Sequence, residues 1–335
     1  WGRQAQPTAD WEPLLVIIAA SVSIVSLPAL LLAEFGFFSL PRLLLLVGVI
    51  TLALVGWGVY RHGRSPLLPP LRIAPLSLLA LLLLLPLIWQ GQRPFSYIVG
   101  GRDHGIYVNT GVHIARTGGI LIDDPELAAL PAESRELLVN TAVSIERHGL
   151  PGPWSEGQRM PGLTIRSLED GVVLPQGFHL YPVWIAIFYA VGGLDMALAT
   201  TAVFGVLGAL AIYVAGARLW GRPAALIGLL FLVGSVTQGW FVRYPSAEIL
   251  LQFLFWIGLL TFTLMLQTDD RFMAIVAAGS LGLMHLTKLD TVVIPVAVLM
   301  LLLYLWLMDR FPRSARYFLP IYGLLLLHTL LHAYF

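Results

Sequence analysis

An all-α polytopic membrane fold is what this sequence predicts, on three observations. Of its 335 residues, 58% are hydrophobic and only 12% charged, well above the apolar share and below the charged share of a soluble domain. The apolar residues gather into runs of about 20, the length a helix needs to cross roughly 30 Å of hydrocarbon while satisfying its own backbone groups. The short connections between runs carry most of their basic residues on alternate turns, as positive-inside topology requires. Ten-residue alternation of the β-barrel kind is absent. There is no cysteine, and so no disulfide or thiolate metal site. With 20 basic against 19 acidic residues, charge gives no sign of a nucleic-acid partner, and none is expected.

Nine spans follow in order. The first, 13–33, lacks a basic n-region and a cleavage site and runs on into a second, 41–60, so it is a span and not a signal peptide. The third, 73–89, leads into the long polar segment 90–178. Inside that segment, 104–117 mixes Ile106, Val108, Val112 and Ile114 with Asn109, Thr110, His113 and Arg116, a pattern for a helix on the membrane surface that Gly118 and Gly119 end. Asp124 and Pro125 read as the N-cap and first residue of a short helix. The stretch "TIRSLEDGVVLP" reads as a small hairpin around Asp170 and Gly171.

Next, "FHLYPVWIAIFYAVGG", 178–193, is short for a span and bounded by Pro182 and the Gly192–Gly193 pair, which predicts a helix lying in or dipping into the outer leaflet. The remaining spans are 196–217, 223–241, 246–267, 272–288, 290–308 and 317–335. With a cytoplasmic N-terminus the inner side receives Arg3, Arg61, Arg64, Arg72, Arg218, Arg222, Arg271, Arg310, Arg313 and Arg316, while the short outer turns receive only Arg42, Arg243 and Lys288. Segment 90–178 then lies outside a plasma membrane. The expected organisation is a three-span segment 1–89, an extracytoplasmic segment 90–195, and a six-span core 196–335. A start at Trp1 and a stop at Phe335 inside an apolar run read as part of a longer protein, truncated at the C-terminus.

Ionisable residues at membrane depth are costly, which makes each one a candidate for function. Arg102, Asp103 and His104 stand at the opening of the outer segment, where Asp103 can serve as general base, as ligand for a hard cation, or as a helix cap. His179 and Tyr181, in "HLYP", suit interface anchors or site residues. In "WFVRYPSAEILLQF", Arg243 and Tyr244 close one span and Glu248 opens the next; Arg243 can pair with Glu248 or face a phosphate. In "HLTKLDTVVIP", His285, Lys288 and Asp290 cluster at an outer junction, and Lys288 can simply pair with Asp290. His328 and His332 share a helix face at i, i+4 spacing suited to a metal or haem, but no third ligand is evident. No GxGxxG-type phosphate loop and no HExxH motif is present.

The order "GGRDHGIYVNTGVHIARTG", then the helix from "HLYPVWIAIFYAVGG", then "VRYPSAEILLQFLFW" and "GLMHLTKLDTVVIPV" resembles membrane glycosyltransferases of the GT-C superfamily. Over about 90–300 it resembles specifically the branch similar to family 39 protein mannosyltransferases and aminoarabinose transferases. The resemblance implies inverting transfer of a sugar from a polyprenyl-phosphate donor to an acceptor at the extracytoplasmic face. In that family an acidic residue at the start of the first large outer loop acts as base or orients the acceptor or a divalent cation, and the matching position here is Asp103. Members often have a second acid beside it; this chain has His104. The family usually carries its acid after the first helix, so with three spans before Asp103 the resemblance implies that 13–60 is an added N-terminal hairpin. The family's phosphate-contacting cation corresponds to Arg243, with Lys288 as a second. Implied partners are the lipid-linked donor, membrane lipids and an acceptor of unspecified kind. Two other readings compete: an inactive GT-C-like subunit held among other membrane subunits, and, third, a transporter, which would need charges deep in several spans.

Overall fold

Helices form where the apolar runs lie, because in the absence of water the i to i+4 ladder is what pairs the backbone. The computed structural model describes residues 11–62, 75–98, 103–131, 134 and 158–333. The long helices are α1 (Glu12–Glu34), α2 (Leu40–His62), α3 (Pro75–Gly91), α4 (Asp103–Thr117), α6 (Leu180–Trp220), α7 (Arg222–Gly234), α9 (Ala247–Thr268), α10 (Arg271–Leu283), α11 (Val293–Leu307) and α12 (Ala315–His332). Two short helices, α5 (Pro125–Ala128) and α8 (Val236–Phe241), and two 3-10 turns, Met284–Leu286 and Leu289–Val292, complete the helical part.

By length and composition, five of the described helices can cross a membrane: Glu12–Glu34, Leu40–Tyr60, Leu180–Trp220, Ala247–Thr268 and Leu289–Leu307. The protein is therefore a mostly helical, membrane-embedded chain. Pro75–Gly91, Arg222–Gly234 and Arg271–Leu286 are apolar but shorter. In α12, Arg316, His328 and His332 dilute an otherwise apolar sequence. The continuous span expected over 223–241 is two helices: Gly234 is a weak helix former, and Ser235 takes an extended ψ of 128° that breaks the ladder.

The helix expected over 178–193 and the span after it form one run, α6, broken in its dihedrals at Gly192 and Gly193. Gly193 has φ +70°, a conformation that favours glycine, so the break is written into the pair. The segment before it, Leu180 to Ala186, is buried against α4 and the bundle.

In the polar segment between α3 and α6 the Asp170–Gly171 turn joins β3 (Leu163–Ser167) to β4 (Val172–Pro175), antiparallel as expected. The sheet is larger than that hairpin, with β1 (Ile122–Asp123) and β2 (Gln158–Met160) added in the order β1-β4-β3-β2. Asp124 caps α5 through bonds of 3.1 Å from the Glu126 and Leu127 N–H groups, with Pro125 first in the helix. Arg159 reaches from β2 to Asp124 at 2.7 Å, and that hydrogen bond, outweighing burial, holds the carboxyl below its usual range.

The core gathers α6, α9, α10, α12, α1 and α4, and its close approaches use small residues, as helix packing in lipid requires. A Cβ on Gly111 of α4 would stand 2.5 Å from Ile185 Cγ2 and 2.7 Å from the Pro182 carbonyl oxygen. One on Gly258 of α9 would stand 2.6 Å from Leu281 of α10. Trp184 donates to Ser26 Oγ at 2.9 Å, tying α6 to α1. Of the expected N-terminal hairpin, α1 is thus part of the bundle. α2 instead leaves Leu44, Leu45, Leu52 and Trp57 exposed, as a lipid-facing helix would.

Candidate functional site

Asp103 opens α4 with its side chain exposed, and its Oδ1 accepts from Gln176 Nε2 at 2.9 Å. Among the described residues it makes no capping bond to the α4 backbone, so its carboxylate faces the polar segment that carries Gln176 rather than closing its own helix. Arg102 lies outside the described residues. One turn into α4, Tyr107 packs edge-on to Tyr181 with ring centroids 5.6 Å apart. Burial pushes the Tyr107 hydroxyl to a higher pKa, and the charges of Asp103, Glu248 and Asp290 add to that, so Tyr107 remains a neutral donor. Tyr181 itself is fully buried, its hydroxyl 2.6 Å from Thr201 Oγ1.

Across from α4, the start of α9 holds Glu248. The expected Arg243–Glu248 pair does not form. Glu248 instead receives Lys288 Nζ at 2.5 Å and the Ser246 hydroxyl, while Lys288 also meets Asp290 at 3.5 Å. The turn before α9 explains this: Ser246, next to Pro245, spends its hydroxyl on Glu248, and the 3-10 turn at Leu289–Val292 swings Lys288 to the same carboxylate. Burial opposes the Lys288 ammonium, but the Glu248 hydrogen bond and the charges of Glu248 and Asp290 outweigh it and raise its pKa. Lys288 is thus a neutralised cation, not one held open for an anion.

His285 is buried. The Thr291 hydroxyl donates to the Lys288 carbonyl, so it accepts from His285 Nδ1 at 2.6 Å; His285 Nε2 then accepts from Tyr322 at 3.0 Å. Its place is a tie between the 3-10 turns and α12.

Arg243 has different surroundings. Its Nε donates to the Arg93 carbonyl at 2.8 Å, and its guanidinium lies 4.2 Å over the Phe95 ring. Among the described residues it forms no ion pair. It lines a cavity of ≈ 330 Å³ with Gln90, Phe95, Ser235, Gly239 and Trp240, at the ends of α3, α7 and α8. A ladder of rings leads from this cavity to α4: Phe95 on Trp240 (4.7 Å), Trp240 on Tyr244 (5.5 Å), and Tyr244 on His104 (3.7 Å). His104 Nδ1 donates to the Pro245 carbonyl at 2.8 Å, which fixes the ring against Tyr244.

The sequence-derived residues therefore fall into two neighbouring groups. Asp103, Glu248 and Asp290, with Lys288 bound to the last two, act on Tyr107, while Arg243 stands at the cavity, which Trp240 and Tyr244 join to His104. Gln176, Gln90, Phe95 and Trp240 were not anticipated, since single polar or aromatic residues at helix ends carry no spacing signal. His179 is drawn away from both groups, toward His332 at 2.9 Å. Compared with protein-family models, with curated proteins and with solved structures, the chain finds no match.

Proposed function

We propose that this chain is a membrane glycosyltransferase of the GT-C type, similar to the family 39 branch, that moves a sugar from a polyprenyl-phosphate donor to an acceptor hydroxyl at the extracytoplasmic face. The observation that carries this reading is Arg243: a guanidinium without a carboxylate partner among the described residues, lining a ≈ 330 Å³ cavity at helix ends. Such a group suits a phosphate whose isoprenoid tail stays among the helices. Asp103, exposed and held by Gln176, takes the acceptor proton as that oxygen attacks the anomeric carbon. The bond from that carbon to the phosphate oxygen breaks on the opposite face, and the charge gathering on the leaving phosphate meets Arg243. Lys288, already shared by Glu248 and Asp290, orders the start of α9 in this scheme and is not the second phosphate cation.

The finer topology belongs to the same proposal. The chain crosses a plasma membrane nine times from a cytoplasmic N-terminus, and 90–178 lies outside. The part of α6 before Gly192 is about 18 Å long at the helical rise, too short for a crossing, which favours its place in the outer leaflet.

The test is transfer from a panel of polyprenyl-phosphate sugars by the full chain in proteoliposomes. Asp103→Asn is expected to lower turnover about 10²- to 10⁴-fold with normal expression, and Arg243→Ala to weaken donor binding. Undiminished transfer by Asp103→Asn sinks the assignment of the base. If no donor in the panel binds or turns over and the chain copurifies stoichiometrically with other membrane proteins, the inactive-subunit reading replaces this one.

A further inference from the structure

We propose that Glu34, His328 and His332 form a binding site for a divalent transition metal of the zinc type, with His179 fixing His332 from behind. Glu34 Oε1 lies 3.0 Å from His328 Nε2 and 2.5 Å from His332 Nδ1, and the three ligand atoms all fall within 4.8 Å of one another. Donors around a tetrahedral ion at bond lengths of about 2.0 Å stand roughly 3.3 Å apart, so the two pairs at the carboxylate need to spread by less than about 1 Å and the two histidine nitrogens need to close by no more than about 1.5 Å. The set sits where the ends of α1 and α12 meet. The Glu34 and His332 side chains are 9% and 1% exposed, and the His328 side chain, 20% exposed, gives a path from solvent.

The hydrogen-bond directions point the same way. The Pro175 carbonyl can only accept, so the proton of a neutral His179 lies on Nε2, 3.0 Å from it. His179 Nδ1 then accepts, and His332 must donate to it from Nε2 across 2.9 Å. That turns Nδ1 of His332 toward the Glu34 carboxylate, with His328 Nε2 on the same oxygen. A metal ion held between them would take His332 through Nδ1, with His179 as the outer acceptor that orients this ligating histidine. Two histidines and one carboxylate form a donor set that suits zinc and its neighbours in the first transition row. The ion would cross-link α1 to α12 and, through His179 and Pro175, to the outer sheet. This inference does not depend on the sugar-transfer reading.

The test uses the full chain, purified in detergent through a tag without histidines, stripped with chelator, then titrated with Zn²⁺ and separately with Co²⁺. Expected are one equivalent bound, visible Co²⁺ bands of a low-coordinate nitrogen and oxygen ligand set, and a melting temperature that rises with Zn²⁺ concentration. His328→Gln, at the exposed edge of the set, and Glu34→Gln keep hydrogen-bonding side chains and are expected to bind at least about 100-fold more weakly; His179→Gln loses about 10- to 100-fold. Absence of saturable binding and of a thermal shift in the unmodified chain overturns the proposal. So does equal affinity in folded His328→Gln.

Discussion

Lys288 illustrates how a single side chain changes meaning in three dimensions. In sequence it is a cation that can face a phosphate or pair with Asp290; in the fold Glu248 and Asp290 both hold it. A structural pair and a phosphate ligand respond differently to substitution. Lys288→Met is expected to destabilise the protein by about 1 kcal/mol or less, since both side chains are partly exposed. Lys288→Met combined with Glu248→Gln should recover much of that loss and keep transfer activity; a folded but inactive double variant would return Lys288 to the phosphate role. Because the folded pKa of Lys288 is raised above 10.5, its contribution is complete below that pH and fades as pH rises through the folded value. The melting-temperature gap between Lys288→Met and the unmodified chain should therefore be constant from about pH 6 to 9 and close only in strong alkali. The legible part of this site was the list of charged residues at one face, found because charges beside lipid are rare. The Lys288–Asp290 pair was legible from its spacing, but that Lys288 and not Arg243 also takes Glu248 was not, because these residues are brought together or kept apart by turns around Pro245 and Leu289 whose directions local sequence does not set.

At the scale of the element, the docking of α4 on α6 positions Asp103, and it depends on Gly111. The Pro182 carbonyl that a Cβ would meet at 2.7 Å is backbone and cannot swing aside. Gly111→Val is expected to cost about 1–3 kcal/mol and to lower transfer with Asp103 unchanged, measured by thermal melting alongside turnover. Equal melting temperatures would show that α4 can shift without loss. The helix over 104–117, the α5 cap, the hairpin turn at Asp170–Gly171 and the break at Gly192–Gly193 were all readable, since each rests on a local rule of capping, turn chemistry or glycine freedom. The interruption at Ser235 and the strands β1 and β2 were not. The first needs only one extended residue, and the others are held by partners distant in sequence.

For the whole molecule, the absence of cysteine gives a clean background for mapping sidedness. Glu169, exposed beside the hairpin turn, and Arg310, exposed after α11, lie on opposite sides in the proposed topology. In intact cells Glu169→Cys should react with a membrane-impermeant maleimide at once, and Arg310→Cys only after permeabilisation. The reverse pattern would invert the orientation, and labelling of both from outside would remove one crossing between them. The bundle divides into core helices, with α6 and α9 largely enclosed, and outer helices such as α2 and α11 whose apolar side chains are mostly bare. That division suits a chain whose outermost helices meet lipid.

The sequence by itself determined that this is a mostly helical, membrane-embedded protein and where most of its long helices lie. These follow from composition, run length and capping, which act over a few residues at a time. Tertiary structure alone decided the partners. Glu34, an unremarked acid at the end of the first helix, lies 2.5 Å from His332 almost 300 residues later, and Lys288 finds Glu248 rather than leaving it to Arg243. Such pairings depend on how whole helices cross and how small residues let them approach, and no short stretch of chain encodes that.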